Sequence, residues 1–174
     1  GLVEIVDHKG KAVLEIKNLD GETALHVAAR RNNLRATTFL VNAGASLTAR
    51  DASGKTPALT SAAHGRVRLL GYLLTKNNNL KVTTPDGKTM MHVAVTAPHG
   101  KPIETMAFLT KCGMSVNVVD SSACTPLHEA LRAKVSQEVV FFLMEKGANL
   151  DAKDKEGVTP RSLLKGYEQG KESN

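Results

Sequence analysis

Apolar residues in this chain fall in short blocks at helical spacing, not in alternating or long continuous runs. Four blocks lead: Leu34, Thr37, Leu40 and Val41; Val67, Leu70, Leu73 and Leu74; Ile103, Met106 and Leu109; and Val140, Leu143 and Met144. A spacing of three and four places such side chains on one face of a helix, so each block predicts an amphipathic helix. A shorter apolar stretch precedes each block, opened by a small residue and a threonine: GETALHVAA at 21–29, GKTPALTSAA at 54–63, GKTMMHVA at 87–94 and ACTPLHEA at 123–130. A second phrase follows three of the blocks: NAGASLTARD at 42–51, KCGMSVNVVD at 111–120 and KGANLDAKD at 146–154.

The pattern is periodic. The residue two before each threonine is Gly21, Gly54, Gly87, Ala123 and Gly157, at gaps of 33, 33, 36 and 34 residues. Each unit therefore reads as a turn, a short helix, a second helix and a return loop. Threonine is a good N-cap, and proline suits the first helical position, where its missing N–H would be unsatisfied anyway. Small Ala28, Ala29, Ala62, Ala94 and Ala130 let neighbouring helices approach. Gly44, Gly113 and Gly147 are expected to end the second helices in a left-handed conformation, with Asn77 in that place in the second unit.

Period, threonine phrase and glycine–alanine step together resemble the ankyrin repeat, over roughly residues 18–165. TPLH stands intact only at Thr125–His128; it becomes TALH at Thr23–His26, TMMH at Thr89–His92, TPAL at Thr56–Leu59 and TPRS at Thr159–Ser162. The resemblance implies an all-α solenoid of helix–turn–helix units with β-hairpin-like turns. Repeats are expected at 18–50, 51–83, 84–119 (with a loop insertion) and 120–153. Residues 1–17 are read as the second helix of a partial repeat, with Leu2, Val3, Ile5 and Val6 packing on the first full unit and Gly10 as its stop. Residues 154–174 are read as a partial capping repeat and tail, in which Arg161 replaces a buried leucine and 168–174 fray. In this family the phrase's histidine is a structural residue, and His26, His92 and His128 match it. A row of metal-binding histidines is the rival reading. Stacked helices would hold them roughly 10 Å apart, too far to share a zinc ion, and Leu59 interrupts the row.

Composition narrows the function. Hydrophobic residues make up 41% and charged residues 23%, as in a globular chain, and no apolar run would cross a bilayer. Cys112 and Cys124 form no disulfide framework or zinc spacing and read as reduced thiols, with Cys124 expected to be an exposed one. No hydrolase, zincin or phosphate-loop motif is present. The expectation is a non-enzymatic chain with no cofactor and no metal, inside the cell, in cytoplasm or nucleus.

Charge suggests where a partner would sit. The net charge is +6 and the pI about 9.4. Turn tips, by resemblance the partner-facing surface, are mixed: Lys55, Lys88 and Ser122 lie there beside Asp20, Glu22, Asp86 and Glu156. The helix-to-helix corners AARRNNLRA, AAHGRVRLL, VTAPHGKPI and LRAKVSQ contain no Asp or Glu. They supply Arg30, Arg31, His64, Arg66, His99, Lys101, Arg132 and Lys134 as candidate partner-binding residues. The helix dipole accounts for Arg30, Arg31 and Arg132 near helix C-termini, but not for Arg35, Arg66 and Arg68 at helix starts. A basic edge meeting an acidic partner and a solvated charged face both remain open. The same holds for the longer third corner, which is either a binding loop or a neutral insertion.

The function expected is a protein–protein interaction module, a scaffold or adaptor, acting as a monomer through its concave face and basic edge. Two alternatives stand beside it: sequestration of a transcription factor in the manner of ankyrin-type Rel inhibitors, and substrate recruitment for a larger enzyme or effector. Aromatic residues are only 3%, so nucleic-acid recognition by base stacking is not expected.

Overall fold

A computed structural model describes residues 11–97 and 100–169. Its helices are α1 (Lys11–Leu14), α2 (Ala24–Arg30), α3 (Leu34–Asn42), α4 (Pro57–Ala63), α5 (Val67–Lys76), α6 (Met90–Val95), α7 (Pro102–Lys111), α8 (Pro126–Arg132), α9 (Gln137–Glu145) and α10 (Pro160–Gln169). No strand occurs among the described residues. The helices form antiparallel pairs, α2 with α3, α4 with α5, α6 with α7 and α8 with α9. First helices stack on first helices, α5, α7 and α9 stack in turn, and α3 meets α5 in a small apolar cluster of Leu34, Val41, Leu69 and Leu73.

The sequence dictates this locally. Thr23, Thr56, Thr89 and Thr125 are the N-caps of α2, α4, α6 and α8, each with extended backbone. Pro57, Pro126 and Pro102 open α4, α8 and α7. The expected alanines are buried at the stacked first helices, beside Leu25, Leu59, Met91 and Leu127, each fully buried. The main core runs from Leu59 and Leu70 to Leu131 and Leu143, with Met90, Met91 and Met106 at its centre. Methionine and leucine do the filling that aromatic rings do elsewhere.

The turns are tight hairpins tied tip to tip. Asp51 N–H donates to Lys55 O and Asp120 N–H to Cys124 O, closing each turn. Between units, Ala52 N–H donates to Asp20 O, Ser121 N–H to Asp86 O and Lys155 N–H to Ser122 O, all at 3.0 Å. Glycine is required at this spacing. At Gly54 (φ +73°) an added Cβ would lie 2.3 Å from Pro85 Cδ of the next tip, and at Gly87 (φ +81°) 2.5 Å from Ser121 N.

One expectation fails. Asn77 is not left-handed: its φ is −146°, because α5 runs on to Lys76 and the chain leaves it extended. Gly44, Gly113 and Gly147 adopt the left-handed region at φ +92°, +90° and +82°. Residues 11–14 are helical, and the stop expected at Gly10 lies outside the described residues. Helix α10 runs to Gln169. Leu2, Val3, Ile5, Val6 and residues 170–174 lie outside the described residues. Arg161 is exposed and grips Asp151 with two bonds of 2.7 and 2.9 Å.

Candidate interaction surface

The three phrase histidines join one unit to the next. His26 Nδ1 accepts from Thr23 N–H at 3.2 Å, which leaves the proton on Nε2, and Nε2–H donates to Lys55 O at 2.9 Å. His92 repeats this from Thr89 (3.3 Å) to Cys124 O (2.9 Å), and His128 from Thr125 (3.0 Å) to Val158 O (3.2 Å). All three rings are buried, with both nitrogens engaged. Burial lowers the His92 pKa, against the pull of the Cys124 carbonyl, Asp120 and Glu129. Among the described residues, no three His, Cys, Asp or Glu side chains gather closely enough to hold a metal ion.

The candidate cations divide into those held by the fold and those facing outward. Arg30 binds Glu22 at 3.0 and 3.1 Å, and this contact, ahead of the opposing burial, lowers the Glu22 pKa. Arg66 Nε–H donates to Arg30 O at 3.1 Å, bracing the second corner on the first. Arg132 binds Asp154 of the next unit and also Cys124 Sγ at 2.8 Å. Lys101 pairs with Glu104 at 2.9 Å. His64 Nδ1–H donates to Thr60 O at 2.8 Å. Arg31, Arg35, Arg68 and Lys134 are exposed, with no ion pair among the described residues. His99 lies outside the described residues. Lys55, half-buried, contributes its backbone, donating N–H to Asp51 Oδ1 at 2.8 Å.

The remaining candidates share a depression of about 470 Å³ between the tips and first helices of the third to fifth units. Lys88, Ser122 and Arg132 line it among Asp86, Asp120, Glu129, Asp154 and Glu156. Lys88 bridges to Glu129 at 3.0 Å; burial opposes its charge, but Glu129 and Asp86 outweigh that and raise its pKa. Burial would raise the Asp154 pKa, yet Arg132 and the N–H groups of Val158 and Glu156 win and lower it.

Sequence reasoning misplaced Cys124. It is buried, 4% exposed, with a guanidinium beside it. Burial raises its pKa despite Arg132, so the thiol stays protonated at neutral pH. A register signal could have found this contact: Cys124 and Arg132 stand eight residues apart, as Glu22 and Arg30 do.

The ankyrin-repeat family description, ankyrin repeats (3 copies), matches residues 2–84 and again residues 61–154. The chain belongs to the ankyrin-repeat family. Relatives to which these repeats are similar include the E3 ubiquitin-protein ligase KEG of Arabidopsis thaliana, 29% identical over 140 residues, 80% of this chain and 8% of the relative. Another is the human neurogenic locus notch homolog protein 2, 31% identical over 151 residues, 84% of this chain and 6% of that one. A third is the human transient receptor potential cation channel subfamily A member 1, 24% identical over 156 residues, 87% of this chain and 14% of the channel. The ankyrin-repeat chain thus spans a small part of each of these proteins. No helix among the described residues is long and apolar enough to cross a membrane.

Proposed function

We propose that this ankyrin-repeat chain is a non-enzymatic protein-interaction module that engages an acidic partner protein along its corner edge and concave face. Ankyrin repeats are in general protein-binding units. The observation that carries the finer reading is the set of outward cations: Arg31, Arg35, Arg68 and Lys134 stay exposed while Arg30, Arg66 and Arg132 are held by the fold. A field of this kind speeds and orients association, while packed anchors elsewhere supply most of the affinity. The depression between the tips offers a place for such anchors.

Similarity to a relative named as an E3 ubiquitin-protein ligase favours a second reading, in which the repeats recruit a substrate for a larger enzyme. Both readings need the same protein contact.

The test is capture on the immobilised chain, followed by binding of the purified retained protein. Arg31→Glu, Arg68→Glu and Lys134→Glu together should slow association at low salt, and less at high salt, with circular dichroism unchanged. Retention of duplex DNA in place of any protein, with affinity falling steeply with salt, overturns the reading.

A further inference from the structure

The net positive charge of the chain lies in its first two complete repeats. Residues 18–83 carry nine Lys and Arg against three carboxylates, Asp20, Glu22 and Asp51, a balance of +6 that equals the whole chain's and leaves zero for all other residues. Asp51 is itself occupied, its Oδ1 accepting from Lys55 N–H.

Within this stretch α3 and α5 present the same sequence of chemistry at the same register. Arg35 and Arg68 are the second residues of α3 and α5, 33 positions apart, and both are exposed. One turn further stand Phe39 and Tyr72, again 33 apart. Residues four apart on a helix are neighbours, so each helix offers a guanidinium followed by an aromatic ring. Phe39 is 52% exposed, whereas Tyr72 is half-buried on the Leu69–Leu73 cluster that also holds Leu34 and Val41 of α3. The two helices therefore share one apolar cluster.

The register also shows where the patch stops. In α7 and α9 the residues four before the corresponding rings are Glu104 and Glu138, and the rings themselves, Phe108 and Phe142, are half-buried. The basic, ring-bearing face thus spans two units and meets carboxylates at the third.

We infer that the outer face of α3 and α5 docks an acidic protein segment bearing a bulky apolar side chain. Its carboxylates meet Arg35 and Arg68, and its apolar side chain covers Phe39. Planar guanidinium groups suit bidentate carboxylate pairing. The inference rests on the protein-interaction reading and names a face apart from the turn-tip concavity.

The probe is a fluorescein-labelled twelve-residue peptide alternating Glu with Leu and Phe. Its comparator carries Ser in place of the apolar residues. Fluorescence anisotropy would follow both against wild type, Arg35→Glu/Arg68→Glu, Phe39→Ala, and Lys155→Glu as a variant of the concave side. Wild type should prefer the apolar peptide by about tenfold, a difference of about 1.4 kcal/mol. The double variant should lose about tenfold in affinity for either peptide. Phe39→Ala should erase the preference between peptides, and Lys155→Glu should bind as wild type does. All four substituted residues are exposed, so melting should stay near wild type. Loss of binding in Lys155→Glu alone would overturn this placement while leaving the protein-interaction reading intact. Displacement of the peptide by a twelve-nucleotide single strand at physiological salt would overturn it, as would sedimentation as a dimer abolished by the double variant. A chain that also retains no protein in the capture experiment loses both readings.

Discussion

His92 in the third unit ends on Cys124 in the fourth, its Nε2–H lying 2.9 Å from the Cys124 carbonyl oxygen. The same ring accepts from Thr89 N–H at 3.3 Å, so one side chain caps its own helix and holds the next hairpin. Stability of a repeat array depends on nearest-neighbour interfaces, and this bond is one of them.

Replacing His92 by Ala leaves the buried Thr89 N–H without its partner, removes the bond from one unit to the next at the Cys124 carbonyl (which keeps only Asp120 N–H) and opens a cavity where the ring was. The expected cost is about 2–4 kcal/mol, seen as a Tm lower by roughly 5–12 °C in calorimetry. Stoichiometric zinc in purified wild type, lost with the variant, would instead restore the metal reading.

The pH dependence follows from burial. The folded chain holds His92 neutral below the pH at which an exposed histidine, with a pKa of about 6.5, takes up its proton. The unfolded state therefore binds more protons as pH falls. The contribution of neutral His92 is complete above about pH 6.5 and is lost as pH drops through the lowered folded value. The stability gap between wild type and His92→Gln should narrow from about pH 7.5 to 5.5. A constant gap in denaturant titrations would show that His92 does not charge on unfolding.

Turn position 123 carries alanine where the other units have glycine, and its φ is +59°. Ala123→Gly should stabilise by about 0.5–1 kcal/mol, a Tm rise of roughly 2–4 °C. Gly87→Ala should cost above about 2 kcal/mol, since backbone strain is joined by the clash with Ser121. Gly157→Ala should cost only about 1 kcal/mol, because nothing lies within 4 Å of the added carbon. Equal effects at 87 and 157 would refute the tip-to-tip contact.

Features that repeat were legible in the sequence. Threonine caps, turn glycines and paired helices recur at a fixed spacing, so their physics can be read from any one unit and checked in the next. Partnerships that cross units were not. Arg132 reaches Asp154 twenty-two residues away, and Arg66 reaches a carbonyl thirty-six residues back. A corner without a local acid looks like a free basic edge, although the acid sits on the next hairpin tip. The burial of Cys124 was hidden for the same reason, since Arg132 and the fifth unit cover it.

The cysteines should differ in reactivity. Cys112 is half-buried, whereas Cys124 is 4% exposed with a raised pKa. Iodoacetamide at pH 8 should label Cys112 first, with Cys124 following only on unfolding. Mass spectrometry of the digested chain reads this directly, and early labelling of Cys124 would contradict its place in the fold.

A protein partner is expected to meet the outward cations of the corner edge. Amide hydrogen exchange of the chain, alone and with its purified captured partner, tests this most directly. Exchange should slow at residues 30–36 and 64–69, together with the tips that line the depression. A saturated complex whose footprint omits both corners would contradict it.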